Sequence, residues 1–351
     1  MSLPKVTTAA ILVAQKQALE VVEIALPETL DIGQVLVELA YSGICGSQLG
    51  EIDGVKGDDK WLPHLLGHEG SGKVLAIGPG VKHVSPGDSV VLHWRPSQGI
   101  EAAPAKYKWD SKIVNAGWVT TFNHHAVISE NRLTRIDNSS DMKTAALYGC
   151  AVTTGFGVID NRAHVKLGET VVIFGSGGIG LNIVQAAQLA GASKIVAIDR
   201  FDHRLLLSKA CGATQIINST KEDVWAILAN IFKEKAPDIF IDNTGNPEII
   251  SKGYSFIGPE GRVILVGVPP KDAKAAIYTL PLHFGKTIIG THGGECIPQR
   301  DIPRYMHLLK CRHIDLNPLI SEVKGLSAIN EMIMNMRNGT SAGRCLIEFS
   351  R

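Results

Sequence analysis

The pattern of hydrophobic positions changes near residue 150. Before that point, short apolar stretches such as residues 35–39 and 72–77 are separated by turn sequences such as Gly78-Pro79-Gly80. Short, closely spaced strands with glycine and proline between them are typical of barrel-like all-β domains. The first part of the chain is therefore predicted to be a mostly β, barrel-like domain.

From about residue 169 to residue 291, apolar runs alternate with segments of helical periodicity. The run 170–174 is almost wholly apolar, as expected for a parallel strand covered on both faces, and residues 178–189 follow with helical spacing. Further elements are predicted as strands at 194–198, 238–241, 262–266 and 286–289 and a helix at 221–235. Repeated β-α-β units predict a doubly wound parallel sheet, an α/β fold of the Rossmann type.

These two patterns divide the chain into two predicted domains. Residues 1–154 form the mostly β domain, and residues 292–351 complete it, because mixed helical and strand patterns return there. Residues 155–291 form the α/β domain. A length of 351 residues is sufficient for two domains with substantial cores.

Composition and charge narrow the classes of function. The chain has 35 Lys and Arg against 34 Asp and Glu, so it has no basic field for a nucleic acid or an anionic membrane. Residues 1–17 lack the layout of a signal peptide, and no apolar run reaches the roughly 18 residues of a membrane span. Six widely spaced cysteines indicate reduced thiols rather than a disulfide framework. We expect a cytoplasmic protein that acts on small molecules.

A glycine-rich segment lies where the first strand of the α/β domain meets its helix. Gly175, Gly177 and Gly180 match the pattern G-x-G-x-x-G, with Gly178 and Ile179 between the last two. The first glycine permits a tight turn, the second lets backbone approach a pyrophosphate, and the third lets helix and strand pack closely. The amino terminus of the helix offers free N–H groups to the phosphates. The segment therefore predicts a dinucleotide site.

The acidic residue Asp199 ends the next predicted strand, 19 residues after Gly180. A carboxylate at this place accepts hydrogen bonds from the ribose hydroxyls of adenosine and repels a 2′-phosphate, which favours NAD over NADP. Arg200 follows directly and opposes this preference in part. We predict that NAD is the cofactor and that Asp199 and Arg200 lie at its adenosine end.

Three candidate metal ligands lie outside the α/β domain. They are Cys45, then His68 after a further 23 residues, and Cys150 just ahead of the nucleotide-binding pattern. Two thiolates and one imidazole suit zinc, and three protein ligands leave a fourth position for water or substrate. Any one of them alone would more often be a core residue. Together with the dinucleotide pattern, they predict one catalytic zinc ion.

These segments resemble those of the zinc-containing medium-chain dehydrogenase/reductase family over nearly the whole chain. The matching pieces are the segments around Cys45 and residues 67–69, Pro86-Gly87-Asp88, Gly149-Cys150 with Thr154-Gly155, and residues 175–180. The resemblance implies a GroES-like catalytic domain beside the Rossmann domain. It also implies an alcohol dehydrogenase, because the branch similar to sorbitol dehydrogenase commonly has glutamate in place of Cys150.

The resemblance implies a role for each matching residue. Cys45, His68 and Cys150 would be the zinc ligands, Glu69 would lie beside the metal, and Ser47 would take the proton of the alcohol. Zinc would lower the pKa of the alcohol, and the nicotinamide would accept a hydride from its carbon. The remaining assignments are Trp94 to the substrate pocket and Thr154, Val268, Thr291 and Arg344 to the cofactor. A homodimer or homotetramer is expected.

The loop after Pro86-Gly87-Asp88 departs from the family pattern. Many relatives have four cysteines there that bind a structural zinc, whereas residues 91–112 contain none. Because a structural site needs four cysteine or histidine ligands, we predict no structural zinc. The loop is expected to keep its shape by the packing of Trp94, Tyr107 and Trp109.

The residues after Cys45 also differ from the pattern. Gly50 stands where some alcohol dehydrogenases have a histidine that ends the proton relay, and Gln48 replaces the acidic residue usual three positions after the cysteine. Either water or Glu51 is left to complete proton release.

Two other functions are compatible with the fold. A zinc-free reductase would act on enones or quinones, but those relatives lack the cysteine and histidine ligands. A non-catalytic nucleotide-binding protein would keep the fold without the ligand set. The residues favour a zinc-dependent oxidoreductase that transfers a hydride between NAD and an alcohol or its aldehyde or ketone.

Overall fold

The structure, a computed structural model, describes residues 4–55 and 57–349. The chain divides into two compact units, Met1–Ala151 with Ile297–Arg351 and Val152–Cys296. Each unit has its own buried hydrophobic clusters. Within the described ranges, no helix is both long enough and apolar enough to cross a membrane.

The amino-terminal part of the first unit is built mainly from strands. They are β1 (Val6–Leu12), β2 (Glu20–Ala25), β3 (Gln34–Ile44), β4 (His64–Leu65), β5 (Glu69–Ile77), β6 (Ser89–His93), β7 (Tyr107–Trp109), β8 (Lys112–Val114), β9 (His125–Ser129) and β10 (Leu133–Ile136). The short helices α1 (Gly46–Ile52) and α2 (Met142–Ala145) follow β3 and β10.

The second unit alternates strands and helices. Helix α3 (Ala151–Gly157) leads into it. The elements that follow are β11 (Thr170–Phe174), α4 (Gly178–Leu189), β12 (Lys194–Asp199), α5 (Asp202–Ala210), β13 (Gln215–Asn218), α6 (Val224–Ile231), β14 (Ile239–Asp242), α7 (Pro247–Phe256), β15 (Arg262–Leu265) and β16 (Thr287–Gly290).

The chain then returns to the first unit. The elements there are α8 (Pro298–Cys311), β17 (Ile320–Gly325), α9 (Ile329–Arg337) and β18 (Arg344–Glu348). Strand β18 pairs antiparallel with β3, and Cys345 lies opposite Ile44. This register brings Arg344 next to the end of β3, where Cys45 follows.

The described residues of the first unit form two sheets. One has the strand order β4-β1-β2-β7-β8, and the other has the order β10-β6-β5-β3-β18-β17, with β9 also paired to β3. Most pairings are antiparallel, with buried side chains along β1, β3, β6 and β9. The arrangement confirms the predicted mostly β, barrel-like domain.

The second unit has a single parallel sheet in the part of the chain that is described. Its strand order is β13-β12-β11-β14-β15-β16, in which the chain starts at the centre and reverses direction once. This is the doubly wound order of dinucleotide-binding folds. Strand β11 is flanked by β12 and β14, and its residues 171–174 are buried. The predicted Rossmann fold is confirmed, and α4 has the bounds that the sequence predicts.

One predicted helix is shorter than expected. The sequence predicts a helix at 221–235, but α6 covers only Val224–Ile231. Asp223 caps its amino terminus by accepting the N–H groups of Trp225 and Ala226 at 3.1 Å each. Pro237 follows the segment 233–236, and the residue before a proline disfavours helical backbone.

Glu130 connects the loop that binds a structural zinc in relatives, at Ile100, to the segment that precedes Pro86, at Lys82 and His83. This carboxylate is 1% exposed, and its Oε1 accepts the N–H groups of Lys82 at 2.6 Å and His83 at 2.9 Å. Its Oε2 accepts the N–H of Ile100 at 2.8 Å. Burial raises the pKa of Glu130, but these donors outweigh it and hold the pKa below its usual range.

Arg132 adds a second connection to the same loop. Its guanidinium donates to the carbonyl of Trp94 at 2.7 Å and to Glu101 at 2.8 Å. Tyr107 is fully buried, as expected, and its hydroxyl accepts the N–H of Val127. A polar network therefore supplements the packing that the sequence predicts.

We predict that Glu130→Gln lowers the free energy of unfolding by about 2 kcal/mol. The amide retains only one oxygen, so it leaves at least one buried N–H group without an acceptor. Denaturant unfolding midpoints would measure the change, with exposed Glu28→Gln as the matched control. Equal midpoints for the two variants would show that the connection through Glu130 does not stabilise the fold.

Candidate functional site

The three predicted zinc ligands converge in the first unit. Cys45 is the residue before α1, His68 comes directly before β5, and Cys150 comes directly before α3. Their ligand atoms all lie within 4.8 Å of one another, and Cys45 and Cys150 are 6% and 4% exposed. Residues far apart in sequence thus form a single Cys-His-Cys group.

The donor set fits a zinc ion. Nε2 of His68 is buried and has no hydrogen-bond partner among the described residues. A hydrogen bond between the two sulfurs lowers the pKa of Cys45 and raises the pKa of Cys150, as expected for two thiols that share one proton. Two sulfurs and an imidazole nitrogen at this spacing leave room for a fourth, non-protein ligand.

Glu69 and Arg344 form a buried ion pair beside the three ligands. Glu69 Oε1 lies 2.7 Å from Arg344 Nε, and both side chains are 5% exposed or less. The N–H does not point at that oxygen, so the contact is ionic rather than a directed hydrogen bond. Burial raises the pKa of Glu69 to about 7, and the guanidinium opposes that rise. Glu69 Oε2 also accepts the N–H of Ala151 at 3.1 Å.

Two glycines make space for Glu69. A Cβ at Gly43 would lie 1.9 Å from Glu69 Oε1, and a Cβ at Gly149 would lie 2.3 Å from the carbonyl oxygen of Leu92 and 2.7 Å from the Cα of Glu69. Contacts this short are forbidden, so any larger residue at either position would displace the carboxylate or the backbone that carries it.

Gln48 contacts two of the three candidate ligands. Its side-chain oxygen accepts the N–H of Cys45 at 2.8 Å, and its side-chain nitrogen contacts Nδ1 of His68. It is 1% exposed. The sequence marks Gln48 as a departure from the family pattern, but it does not show these contacts.

Ser47 follows Cys45 in α1, and Trp94 packs against His68. The Ser47 hydroxyl is in the first turn of α1 and is buried without a partner in the described part of the chain. The ring of Trp94 packs edge to face against that of His68, with centroids 6.4 Å apart. The guanidinium of Arg95 lies 5.9 Å from the centre of the Trp94 ring.

A cavity of about 740 Å³ opens on one side of His68. Gln48, Glu51 and His68 line it, together with the exposed rings of Trp61 and Trp118. Near its edge, His64 pairs with Asp59 at 2.7 Å. The cavity gives a small molecule a route to His68, and its wall includes Glu51, one of the two candidates for proton release.

In the second unit, the glycine-rich segment has the shape of a phosphate-binding turn. Gly175 has a φ of +99°, in the left-handed region that favours glycine. A Cβ at Gly180 would lie 2.0 Å from the carbonyl oxygen of Gly175. A Cβ at Gly177 would meet nothing within 4 Å, so the space in front of α4 is open to a ligand.

Asp199 is hydrogen-bonded to this segment. One carboxylate oxygen accepts the N–H of Ser176 at 2.7 Å, and the other accepts the N–H groups of Arg200 at 2.7 Å and Phe201 at 3.1 Å. A cavity of about 480 Å³ lies beside Asp199, and Arg200 and Arg204 line it. The unit therefore presents a carboxylate and two guanidinium groups at the end of β12.

The other predicted cofactor residues of the second unit are spread over its surface and interior. Thr154 is 4% exposed in α3, and Val268, beyond β15, is 65% exposed. The Thr291 hydroxyl donates to Glu295 at 2.6 Å and accepts the N–H of Gly294 at 3.1 Å. Their contact with a cofactor stays a prediction, as does that of Arg344 in the first unit.

Three features of the site were not predicted from the sequence. They are the contact of Gln48 with His68, the ion pair of Arg344 with Glu69, and the place of Arg204 beside Asp199. Of these, only the place of Arg204 could have been predicted from the local sequence, because Arg204 lies five residues after Asp199, in the first half of α5.

Known families match both units. Residues 31–138 match the family described as the alcohol dehydrogenase GroES-like domain, and residues 178–310 match the family described as zinc-binding dehydrogenase. The chain is 29% identical to the NDMA-dependent alcohol dehydrogenase of Amycolatopsis methanolica, over 95% of this chain and 96% of that protein. It is 28% identical to the class-3 alcohol dehydrogenase of Cereibacter sphaeroides, over 95% and 98%.

A solved structure supports the same relationship. The benzyl alcohol dehydrogenase of Acinetobacter calcoaceticus matches with a TM-score of 0.88 at 26% identity, over 99% of this chain and 100% of that one. The two family matches together span more than half of the sequence. This chain is therefore an alcohol dehydrogenase-like oxidoreductase that belongs to the zinc-dependent medium-chain dehydrogenase/reductase family.

Proposed function

We propose that this protein is a zinc-dependent, NAD-linked dehydrogenase that oxidises an alcohol or reduces the corresponding aldehyde or ketone. The observation that carries the proposal is the convergence of Cys45, His68 and Cys150 within 4.8 Å in a chain that also has a dinucleotide-binding fold. Relatives of the zinc-free reductase class lack this ligand set, so the geometry favours the alcohol dehydrogenase class.

The residues of the first unit would bind the alcohol and move its proton. A zinc ion held by the three ligands would supply a Lewis acid that lowers the pKa of a hydroxyl, and NAD would supply the hydride acceptor. The Ser47 hydroxyl is buried without a partner in the described residues, so it is available to receive the alcohol proton. Trp94 would restrict the substrate on the side of His68 where it packs.

Further along the proton path, Glu51 lines the cavity beside His68 and Gln48. A carboxylate at the wall of an open cavity can accept a proton and exchange it with solvent. This position supports a role for Glu51, together with water, in completing proton release. Some alcohol dehydrogenases use a histidine for that step, at the position of Gly50.

We predict that NAD exceeds NADP in kcat/KM by at least about tenfold, which corresponds to about 1.4 kcal/mol. The Asp199 carboxylate would bind ribose hydroxyls and repel a 2′-phosphate. Asp199→Gly should lower the ratio of kcat/KM with NAD to kcat/KM with NADP. Asp202→Gly, three residues further on, should leave that ratio unchanged. Equal use of NAD and NADP by the unaltered protein would overturn the assignment.

The proposal also includes one zinc ion per chain, a homodimer or homotetramer, and a location in the cytoplasm. None of the six cysteines, all of which lie in the described ranges, is in a disulfide. Cys211, Cys296 and Cys345 are buried, and Cys311 is exposed on α8.

The experiment that tests the function is a panel of alcohols and sugars assayed with NAD by NADH absorbance, with carbonyl compounds and NADH in the reverse direction. Turnover that a zinc chelator abolishes would support the proposal. Reduction of enones or quinones that survives the chelator would identify a zinc-free reductase. Protection of the protein against heat by NADH, without zinc and without turnover, would identify a non-catalytic nucleotide-binding protein.

A further inference from the structure

The side-chain amide of Gln48 has a single acceptor atom, and the amide contacts two groups of the candidate zinc site, the N–H of Cys45 and Nδ1 of His68. Its side-chain oxygen already accepts the N–H of Cys45 at 2.8 Å. An amide has one oxygen that accepts and one NH₂ group that donates. The NH₂ group is therefore the part that meets Nδ1 of His68, as the contact shows.

This arrangement sets the tautomer of His68 in the absence of metal. Since the NH₂ group of Gln48 donates to Nδ1, Nδ1 must be the bare nitrogen, and the ring proton lies on Nε2. Nε2 is the buried nitrogen without a partner in the described residues, and it is the one available to bind zinc. The hydrogen-bonded tautomer is therefore the wrong one for a ligand.

A neutral histidine that binds zinc through Nε2 carries its proton on Nδ1, and that N–H needs an acceptor. Gln48 can supply this acceptor only if its amide rotates so that the oxygen faces Nδ1 of His68. The N–H of Cys45 then faces the NH₂ group of Gln48, which cannot accept it. When His68 binds zinc, either its Nδ1–H or the N–H of Cys45 therefore lacks an acceptor, whichever way the Gln48 amide is oriented. A carboxylate would accept from both, because it has two oxygens and no donor.

We infer that Gln48 is a positioning residue that weakens the zinc site by opposing the metal-binding tautomer of His68. The inference rests on the proposed zinc site but goes beyond it, because it concerns affinity and proton position rather than the presence of metal. The partner of a histidine ligand typically changes metal affinity by 10- to 100-fold. Gln48→Glu should therefore lower the zinc Kd by about 10- to 100-fold.

The affinity test is a competition between the full-length protein and a chromophoric chelator for zinc. Glu51→Gln is the control for charge, since Glu51 lines the same cavity as Gln48. We expect Glu51→Gln to change the Kd less than threefold. A Kd for Gln48→Glu within threefold of the unaltered protein, or an equally large effect of Glu51→Gln, would overturn the inference.

The tautomer test needs no variant that alters Gln48. The ¹⁵N spectrum of the histidine-labelled protein, with His68 assigned by its loss in His68→Ala, should show a proton on Nε2 without zinc and on Nδ1 with zinc. A proton on Nδ1 in the zinc-free protein would overturn the inference while leaving the proposed function intact. Failure of the protein to bind zinc at all would overturn both.

Discussion

Cys45→Ser is expected to reduce NAD-linked alcohol oxidation by roughly 1,000-fold or more. The variant removes one of two sulfur ligands from a group of three whose ligand atoms lie within 4.8 Å. A Lewis-acid metal stabilises the developing charge by several kcal/mol, and each 1.36 kcal/mol corresponds to a tenfold change in rate. Steady-state kinetics on the substrate found in the alcohol panel would measure the loss.

The control for this variant is Cys211→Ser, which changes a buried cysteine of the second unit that belongs to no candidate ligand group in the described chain. It should retain nearly full activity. If Cys45→Ser kept more than a tenth of the activity of the unaltered protein, the three residues would not be the catalytic metal site.

Ser47→Ala is expected to lower kcat by about 100-fold while zinc stays bound. The Ser47 hydroxyl is buried without a partner among the described residues. Its loss therefore leaves no other described group without a hydrogen bond, but it removes the proposed proton acceptor. General acid–base catalysis contributes typically 100- to 10,000-fold. Parallel measurements of kcat and zinc content would separate loss of proton transfer from loss of metal.

Two further variants serve as controls for Ser47→Ala. Ser47→Thr retains the hydroxyl and should retain most of the activity. Ser71→Ala removes a hydroxyl that donates to the carbonyl of Met142 at 2.6 Å, and it should affect stability rather than kcat. Full activity of Ser47→Ala would show that the proton leaves by another path.

Local patterns were sufficient to predict the fold. The apolar run of β11, the glycine-rich turn and the periodicity of α4 are all contained in residues 170–189, and the structure confirms each of them. The helix at 221–235 was overpredicted because its hydrophobic spacing continues past the point where α6 ends. Capping by Asp223 and the approach to Pro237 decided its length.

The predicted ligands came from short motifs, but their surroundings depend on long-range pairing. Arg344 reaches Glu69 because β18 pairs with β3, a contact between residues some 300 positions apart. Glu130 connects the loop to the segment before Pro86 through backbone N–H groups, which any sequence provides, so no residue pattern indicates this connection. Gln48 was visible as a departure, whereas its contact with His68 required the fold.

The measurement that tests the central claim most directly is elemental analysis of the protein purified without added metal. The ligand group predicts close to one zinc per chain, falling towards zero in the Cys45→Ser, His68→Ala double variant. Two zinc ions per chain, with one retained in the double variant, would contradict the single catalytic site. No zinc in the unaltered protein, even after incubation with the metal, would contradict the zinc-dependent function itself.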